Sequence, residues 1–456
     1  MTPLVPITLF GWIPLVLIMF IAMPPRRAVL VSFFTAWMFL PVAGFRFEGL
    51  PEITKMAVTC VGALLGSVIF DPTRLFRLKV SPWDLPIVMW ILAPFPSSMA
   101  NGYGAYEGLS LVFTQIVSWG LPYLIGRLYF SDLAGLRELA MAFCIGGLVY
   151  IPFVLFEARM SPQLHTWVYG FHQHEFLQSR RGSSWRPTVF MQHGLAVAMF
   201  MGTAALCAFW IWIAERKQGF RELPMWVIVA VLYGVALICR STYALMLLTG
   251  GTAALFLSRR LGTRFALAAM VAVPPLYVLL RTYGGWDAQV MRWAANLIET
   301  RRLESLETRL QSEDICWQAV QSSALLGLGR LDGVVMTRDG IAFIPDGLWL
   351  IALGRYGFVG LAAMLGTLLV PIAVYVSRHS PRTLFSAPYA GATVMAMVVG
   401  LYTMDNLLNA MINPVYLLGA GGLLGLPMLQ ARRPAFRPVP FVAAPSPEPV
   451  SVASRR

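Results

Sequence analysis

Long apolar stretches separated by short polar connections dominate this sequence of 456 residues. Crossing a membrane as a helix takes about 20 mostly apolar residues, and we count about 12 or 13 such stretches. Only 12% of the residues are charged, whereas a soluble domain carries about 25%. The sequence therefore predicts an all-α polytopic membrane protein, with stretches that begin near Leu4, Ala28, Lys55, Trp83, Leu109, Leu136, Gly194, Pro224, Tyr243, Arg264, Tyr356, Tyr389 and Pro414.

The connections between these stretches alternate in charge. Short connections such as 100–107 and 405–413 contain no Lys or Arg, whereas the intervening ones are basic. Connections rich in Lys and Arg stay in the cytoplasm. We therefore expect the N-terminus outside and the C-terminus in the cytoplasm, with basic connections that contain Arg26, Arg27, Arg74, Arg77, Lys79, Arg127, Arg137, Arg216, Lys217, Arg221, Arg259, Arg260, Arg264, Arg378, Arg382, Arg432, Arg433 and Arg437.

This topology divides the chain into six segments. Residues 1–157, 193–280 and 346–430 form N-terminal, central and C-terminal groups of transmembrane helices. Residues 158–192 and 281–345 form two long external loops, and the Pro/Ala/Ser-rich residues 431–456 form a disordered cytoplasmic tail. Within the larger loop, the spacing predicts an amphipathic helix over 290–298 and a second helix over 304–323.

The net charge of +13 follows from these short basic clusters, and its distribution excludes a nucleic-acid-binding surface. The five cysteines have neither metal-site nor redox-pair spacing. His172-Gln173-His174-Glu175 lacks further ligands, so the sequence predicts no metal site.

The first external loop contains Arg180, Arg181 and Arg186 shortly before a helix that begins near His193. Guanidinium groups bind phosphate through paired hydrogen bonds, and a helix N-terminus also attracts anions. Binding to anionic lipid headgroups is the alternative for each arginine. His193, at the entrance of the helix, is a further candidate for proton transfer.

Arg240 lies between two apolar stretches on the predicted outer side. A cation at that place faces a cavity or a partner, or it extends to the lipid headgroups. Asp346 precedes the helix that follows the larger loop, where capping that helix is the structural alternative. Its functional role would be a base that takes a proton from an attacking sugar hydroxyl while arginines hold a departing phosphate.

Four parts of the chain together resemble the O-antigen ligase and polymerase-like family of bacterial membrane glycosyltransferases. They cover roughly residues 180 to 375, and each motif is weak when taken alone. The order and spacing of the four carry the resemblance: Arg186-Pro187-Thr188 to Gly194; Arg240-Ser241-Thr242-Tyr243-Ala244; Arg309-Leu310 with Trp317, Ala319 and Leu326-Gly327-Leu328-Gly329; and Asp346-Gly347-Leu348-Trp349-Leu350 with Gly354-Arg355-Tyr356-Gly357-Phe358-Val359-Gly360.

The resemblance implies a GT-C-like architecture in the bacterial inner membrane, with the two long loops and the N-terminus in the periplasm. It implies a polyprenyl-pyrophosphate-linked glycan as donor, a glycan or lipid acceptor, surrounding membrane lipid, and no cofactor. The family's pyrophosphate-binding arginines correspond to Arg186, Arg240 and Arg309. An exopolysaccharide or O-antigen polymerase is then favoured over a ligase.

Asp346 stands where this family has a histidine. The related peptidoglycan polymerases use an aspartate in a comparable outer loop, so Asp346 is a substitute base by that resemblance. Two alternatives remain: a polysaccharide transporter or flippase, and a non-catalytic partner of a glycan export complex.

Overall fold

The structure is a computed structural model that describes residues 1–47, 52–182, 184–216, 219–220, 223–284, 300–330, 336–338, 341–343 and 346–430. Most of these residues are helical. The helices before residue 130 are α1 (Leu4–Phe10), α2 (Trp12–Ala22), α3 (Pro25–Phe39), α4 (Lys55–Phe70), α5 (Pro72–Arg77), α6 (Leu85–Leu92), α7 (Pro94–Ala100), α8 (Gly104–Gln115) and α9 (Leu121–Tyr129).

The rest of the chain contains further helices, most of them longer. They are α10 (Leu133–Met160), α11 (Leu164–Tyr169), α12 (Gly194–Glu215), α13 (Met225–Ile238), α14 (Thr242–Leu261), α15 (Phe265–Tyr283), α16 (Thr300–Val320), α17 (Leu348–Arg378), α18 (Pro381–Leu384), α19 (Ala390–Leu408) and α20 (Pro414–Gln430). The described strands pair as antiparallel hairpins: β1 (Gly44–Phe45) with β2 (Ile53–Thr54), β3 (Arg180–Arg181) with β4 (Ser184–Trp185), β5 (Gly219–Phe220) with β6 (Leu223–Pro224), and β7 (Met336–Arg338) with β8 (Ile341–Phe343).

Every apolar stretch predicted from the sequence contains helix, which confirms an all-α, multi-pass membrane protein. By length and composition, six helical segments of the described residues could cross a membrane, and the bent pair α1 and α2 could supply a seventh. Shorter apolar helices also occur, at Lys55–Phe70, Pro82–Leu92, Met225–Ile238 and Pro414–Leu426. The predicted number of crossings, 12 or 13, therefore stays a prediction.

Basic connections contact one another at one end of the helix bundle. Arg26, in the first turn of α3, forms an ion pair with Asp132, just before α10. Arg137, in the first turns of α10, donates hydrogen bonds of 2.7 and 2.6 Å to Glu215 at the end of α12. The connections that the charge pattern assigns to one side thus lie together, while their orientation toward the cytoplasm stays a prediction.

Three helical segments form the centre of the bundle. Between 72% and 83% of the most apolar part of each segment is buried in Gly194–Glu215, Leu348–Arg378 and Ala387–Leu408. The rings of Tyr402 and Tyr416 stack there with centroids 4.3 Å apart. In the other candidate spans less than half of the most apolar part is buried, as is expected for helices that face lipid.

The larger loop returns to the bundle and pairs with a break in α17. After the break, the N–H groups of Phe358 and Val359 donate to carbonyls in the segment 324–329, at 2.8 and 3.3 Å. Two N–H groups of that segment donate in return to the carbonyls of Gly354 and Arg355, at 2.8 and 3.0 Å. We call these four hydrogen bonds the backbone clasp. They satisfy polar groups that the interrupted helix leaves without helical partners.

Two glycines allow the backbone clasp to form. Gly357 has φ +62° and ψ −162°, a region that residues with a side chain rarely adopt. A Cβ atom on Gly357 would lie 2.4 Å from the carbonyl of Leu325, and a Cβ atom on Gly327 would lie 2.5 Å from the nitrogen of Gly357. The two glycine-rich motifs, which are separated in the sequence, are therefore parts of one structure.

Helix α16 confirms the predicted second helix of the larger loop, since it ends at Val320 and continues as a 3₁₀ turn, Gln321–Ser323. Gly327 and Gly329, with φ of +72° and +73°, follow that end. The predicted amphipathic helix at 290–298 and the predicted tail at 431–456 lie outside the described residues.

Replacing Gly357 with Ala should lower the free energy of unfolding by about 1–3 kcal/mol from backbone strain, and further from overlap with the carbonyl of Leu325. Thermal unfolding of the detergent-purified protein measures this effect. Gly234→Ala is the matched control, because a Cβ there meets nothing within 4 Å and alanine favours a helix. Equal melting temperatures for Gly357→Ala and the wild type would contradict the role of the backbone clasp.

Candidate functional site

An ion pair links α16 to the residues just before α17. The Nε atom of Arg309 lies 3.7 Å from Oδ2 of Asp346, with 27% of the arginine side chain and 60% of the aspartate side chain exposed. This distance is longer than a hydrogen bond, so an anionic ligand could take the place of the carboxylate beside Arg309. A small depression surrounds the pair and is lined by Glu313, Gly347, Leu350, Leu407 and Leu408.

The structure does not bear out the structural alternative for Asp346, the capping of α17. The N-cap of α17 is Gly347, and no side chain caps this helix. The first N–H group of the helix, that of Leu348, instead donates to the carbonyl of Asn409 at 3.0 Å. A Cβ on Gly347 would lie 2.5 Å from the carbonyl oxygen of Leu407, so glycine permits this close approach. The Asp346 carboxylate is consequently not used by the helix terminus.

Buried charges hold α16 against α15. Arg281 forms an ion pair with Glu313 and donates to Asp314 at 3.0 Å, while the Tyr277 hydroxyl donates to Glu313 at 2.8 Å. Burial raises the pKa of the Glu313 carboxyl above its ordinary value, and the hydrogen bond and charge of Arg281 oppose that shift. Because Glu313 is one helical turn from Arg309, this anchor fixes where the Arg309 side chain begins.

Arg186 and Arg240, far apart in the sequence, are in contact. Arg240 is exposed and has φ +50° in the short turn between α13 and α14. Its carbonyl accepts a 3.0 Å hydrogen bond from the guanidinium of Arg186, which is 8% exposed. A Cβ on Gly194 would lie 2.5 Å from the Arg186 side chain. Glycine at the start of α12 therefore leaves the space that Arg186 occupies.

One hydrogen bond and the charge of Arg309 relate this turn to the Arg309–Asp346 pair. Tyr243, in the first turn of α14, donates to the carbonyl of Met404 at 2.6 Å. Tyr243 and the buried Asp405 both lie within electrostatic reach of Arg309. Arg186, Arg240, Arg309 and Asp346 thus lie at the same end of the bundle, where α14 begins and α19 ends.

The loop of residues 158–192 is held by a buried carboxylate. Glu157, near the end of α10, is fully buried and accepts three backbone N–H groups. Its Oε2 atom accepts from Thr188 and Val189 at 2.8 and 2.7 Å, and its Oε1 atom accepts from Leu164 at 3.0 Å. Glu157 thereby ties both ends of the loop to one helix and positions the backbone two residues after Arg186.

A buried histidine packs under the same loop. His165 is 1% exposed, and its ring accepts the N–H of Val42 at 3.1 Å and lies 2.8 Å from the carbonyl of Phe171. This pattern fits a neutral ring that donates from Nδ1. Burial lowers the pKa of His165 to about 4, so the ring stays neutral at physiological pH. His165 therefore supports the loop as an uncharged side chain.

The other predicted candidates have structural contacts. The ring of His193 caps α12 by accepting the N–H of Leu195 at 3.0 Å. Arg180 and Arg181 lie in β3, opposite Trp185 and Ser184. The Arg180 side chain is exposed, and that of Arg181 lies outside the described residues. No contact in the described part of the chain joins these residues to Asp346, so their roles stay predictions.

The sequence reading missed three acidic residues of this region: Glu157, Glu313 and Asp405. Glu157 and Asp405 are lone carboxylates at the ends of apolar stretches, a placement that is costly unless the group has a function or partners. That signal could have identified both. Glu313 could not be separated from the surface charges of α16, because its partner Arg281 lies 32 residues earlier.

Comparison with known protein families finds no match, and no curated protein matches the sequence either. Within the described residues, no group of three or more His, Cys, Asp or Glu side chains could hold a metal ion. The site is therefore defined by its own geometry: an exposed carboxylate, a nearby arginine, and a second arginine pair at the same end of the bundle.

Replacing Glu157 with Gln should loosen the first loop, because a buried N–H group without an acceptor costs about 1–3 kcal/mol. Limited trypsin digestion at Arg180 and Arg181 should become several times faster. Glu138→Gln is the matched control, since Glu138 lies at the other end of α10 in a partly exposed ion pair with Arg26. Equal cleavage rates in the wild type and Glu157→Gln would contradict this role of Glu157.

Proposed function

We propose that this protein is an inner-membrane glycosyltransferase that acts on polyprenyl-pyrophosphate-linked oligosaccharide at the periplasmic face. Its product would be an exopolysaccharide or O antigen, made by polymerisation or by ligation to an acceptor. In this proposal the architecture is GT-C-like, and the loops 158–192 and 281–345 form the periplasmic side of the site.

The observation that carries the proposal is the Arg309–Asp346 pair. An exposed carboxylate can accept a proton, and an arginine 3.7 Å away can bind a phosphate oxygen. The Arg186–Arg240 contact lies at the same end of the bundle and supplies further positive charge. This combination is what transfer from a pyrophosphate leaving group requires.

The proposed reaction has one displacement step. The oxygen of an acceptor hydroxyl attacks the anomeric carbon of the donor sugar, and the bond from that carbon to the pyrophosphate oxygen breaks. The proton of the hydroxyl passes to the Asp346 carboxylate. The pyrophosphate leaves on the polyprenyl chain with its new negative charge, which Arg309 stabilises together with Arg186 and Arg240.

Asp346→Asn should abolish glycan transfer in the native host, because an amide cannot accept the hydroxyl proton. The measurement compares surface glycan and lipid-linked intermediates with those of the wild type. Single repeat units on the carrier indicate a lost polymerase, and long chains retained on the carrier indicate a lost ligase.

Glu307→Gln, an exposed change on α16, is the control and should leave the profile unchanged. A wild-type profile for Asp346→Asn, with the protein present in the membrane, would contradict the proposed role. Such a result would favour a transporter or a non-catalytic partner of glycan export.

A further inference from the structure

Arg355 carries a charge for which the described residues provide no counter-charge. It lies two residues before the break in α17, and its side chain is half-buried. Its Nε atom is buried without a hydrogen-bond partner, and no ion pair in the described part of the chain includes it. A partly buried guanidinium in an apolar helix is costly without an anion beside it.

Two buried arginines of the described chain, Arg127 and Arg281, have such an anion. Arg127 lies 3.3 Å from the Asp84 carboxylate, and Arg281 forms its ion pair with Glu313. Both carboxylates come from other helical elements of the same chain. Arg355 differs from Arg127 and Arg281 in having no such carboxylate within the described residues, which leaves a place for the anion of a ligand.

The surroundings of Arg355 suit a phosphate group. The hydroxyl of Tyr356 lies beside the side chains of Arg355 and Gln115, and we call these three residues the helix-break cluster. A guanidinium, a phenol and an amide can all donate to phosphate oxygens. The backbone is held rigidly there, since Ser97 donates to the Arg355 carbonyl at 2.7 Å and the backbone clasp fixes the break.

The helix-break cluster is separate from the Arg309–Asp346 pair. Arg355 lies seven residues after Leu348, which is about two turns or roughly 10 Å along the helix. Its neighbours belong to α7 and α8, whereas the lining of the depression beside Arg309 comes from α16, α17 and the end of α19. Because the two groups of residues have different neighbours, they favour two separate phosphate-binding sites over one shared site.

We propose that the helix-break cluster binds the phosphate of a second lipid-linked glycan, which serves as the acceptor. The identity of this lipid rests on the proposed function, while the need for an anion rests on Arg355 alone. Growth of a glycan on its carrier joins two lipid-linked molecules, so it requires two phosphate-binding places. The inference therefore favours a polymerase over a ligase.

Native mass spectrometry of the purified protein with undecaprenyl pyrophosphate tests this inference without any transfer reaction. The wild type should bind two lipids per chain, and Arg355→Gln should bind one. The affinity of the second site should fall at least about tenfold, which is about 1.4 kcal/mol of binding free energy. Arg355→Lys keeps the charge and should retain most of the second binding. Arg378→Gln, an exposed arginine on the same helix, is the matched control and should behave as the wild type.

A single bound lipid in the wild type, or two in a folded Arg355→Gln variant, would overturn the inference. Displacement of the second lipid by phosphatidylglycerol at equal concentration would assign the place to ordinary phospholipid and would overturn the acceptor role. Loss of the second lipid in Arg355→Lys as well, with an unchanged melting temperature, would overturn the claim that the charge of Arg355 binds this phosphate. None of these results depends on Asp346, so they are distinguishable from failure of the proposed function.

Discussion

Polar backbone groups removed from water need partners inside the protein, and the break in α17 is where this constraint governs the structure most strongly. The interrupted helix exposes N–H and carbonyl groups that the segment 324–329 satisfies, with a further hydrogen bond from Ser97 to the Arg355 carbonyl. That segment continues α16, so the backbone clasp also fixes the C-terminal end of the helix that carries Arg309. The Arg281–Glu313 ion pair fixes the same helix closer to Arg309. The position of Arg309 thus depends on two interactions that hold α16, the backbone clasp and the Arg281–Glu313 ion pair.

Buried polar side chains play the equivalent part at the other loop. Glu157 accepts N–H groups from both ends of the segment 164–189, and His165 remains neutral beneath it. Together they define the backbone before α12, where Gly194 leaves space for Arg186. Arg186 then reaches the turn that contains Arg240. The two loops are therefore independent in sequence but meet at the same end of the bundle.

The helical architecture could be predicted because each apolar stretch indicates a helix by its own residues, without knowledge of tertiary contacts. Helix α16 was predictable for a similar reason, since its spacing is regular. The N-cap of α17 could not be predicted. Aspartate is a favoured N-cap residue, which pointed to Asp346, but the carbonyl of Leu407 lies too close for a side chain at the actual N-cap, Gly347. Pairings such as Gly327 with Gly357, or Arg281 with Glu313, depend on tertiary contacts between distant segments. No local pattern encodes such contacts.

The central claim is that this chain alone transfers a glycan from a polyprenyl pyrophosphate carrier. The most direct measurement places the purified protein in liposomes with a polyprenyl-pyrophosphate-linked oligosaccharide and no other protein, and follows carrier release and glycan length together. The account predicts longer lipid-linked glycan and free polyprenyl pyrophosphate in equal molar amounts. Binding of the lipid-linked oligosaccharide without any release of carrier would contradict it.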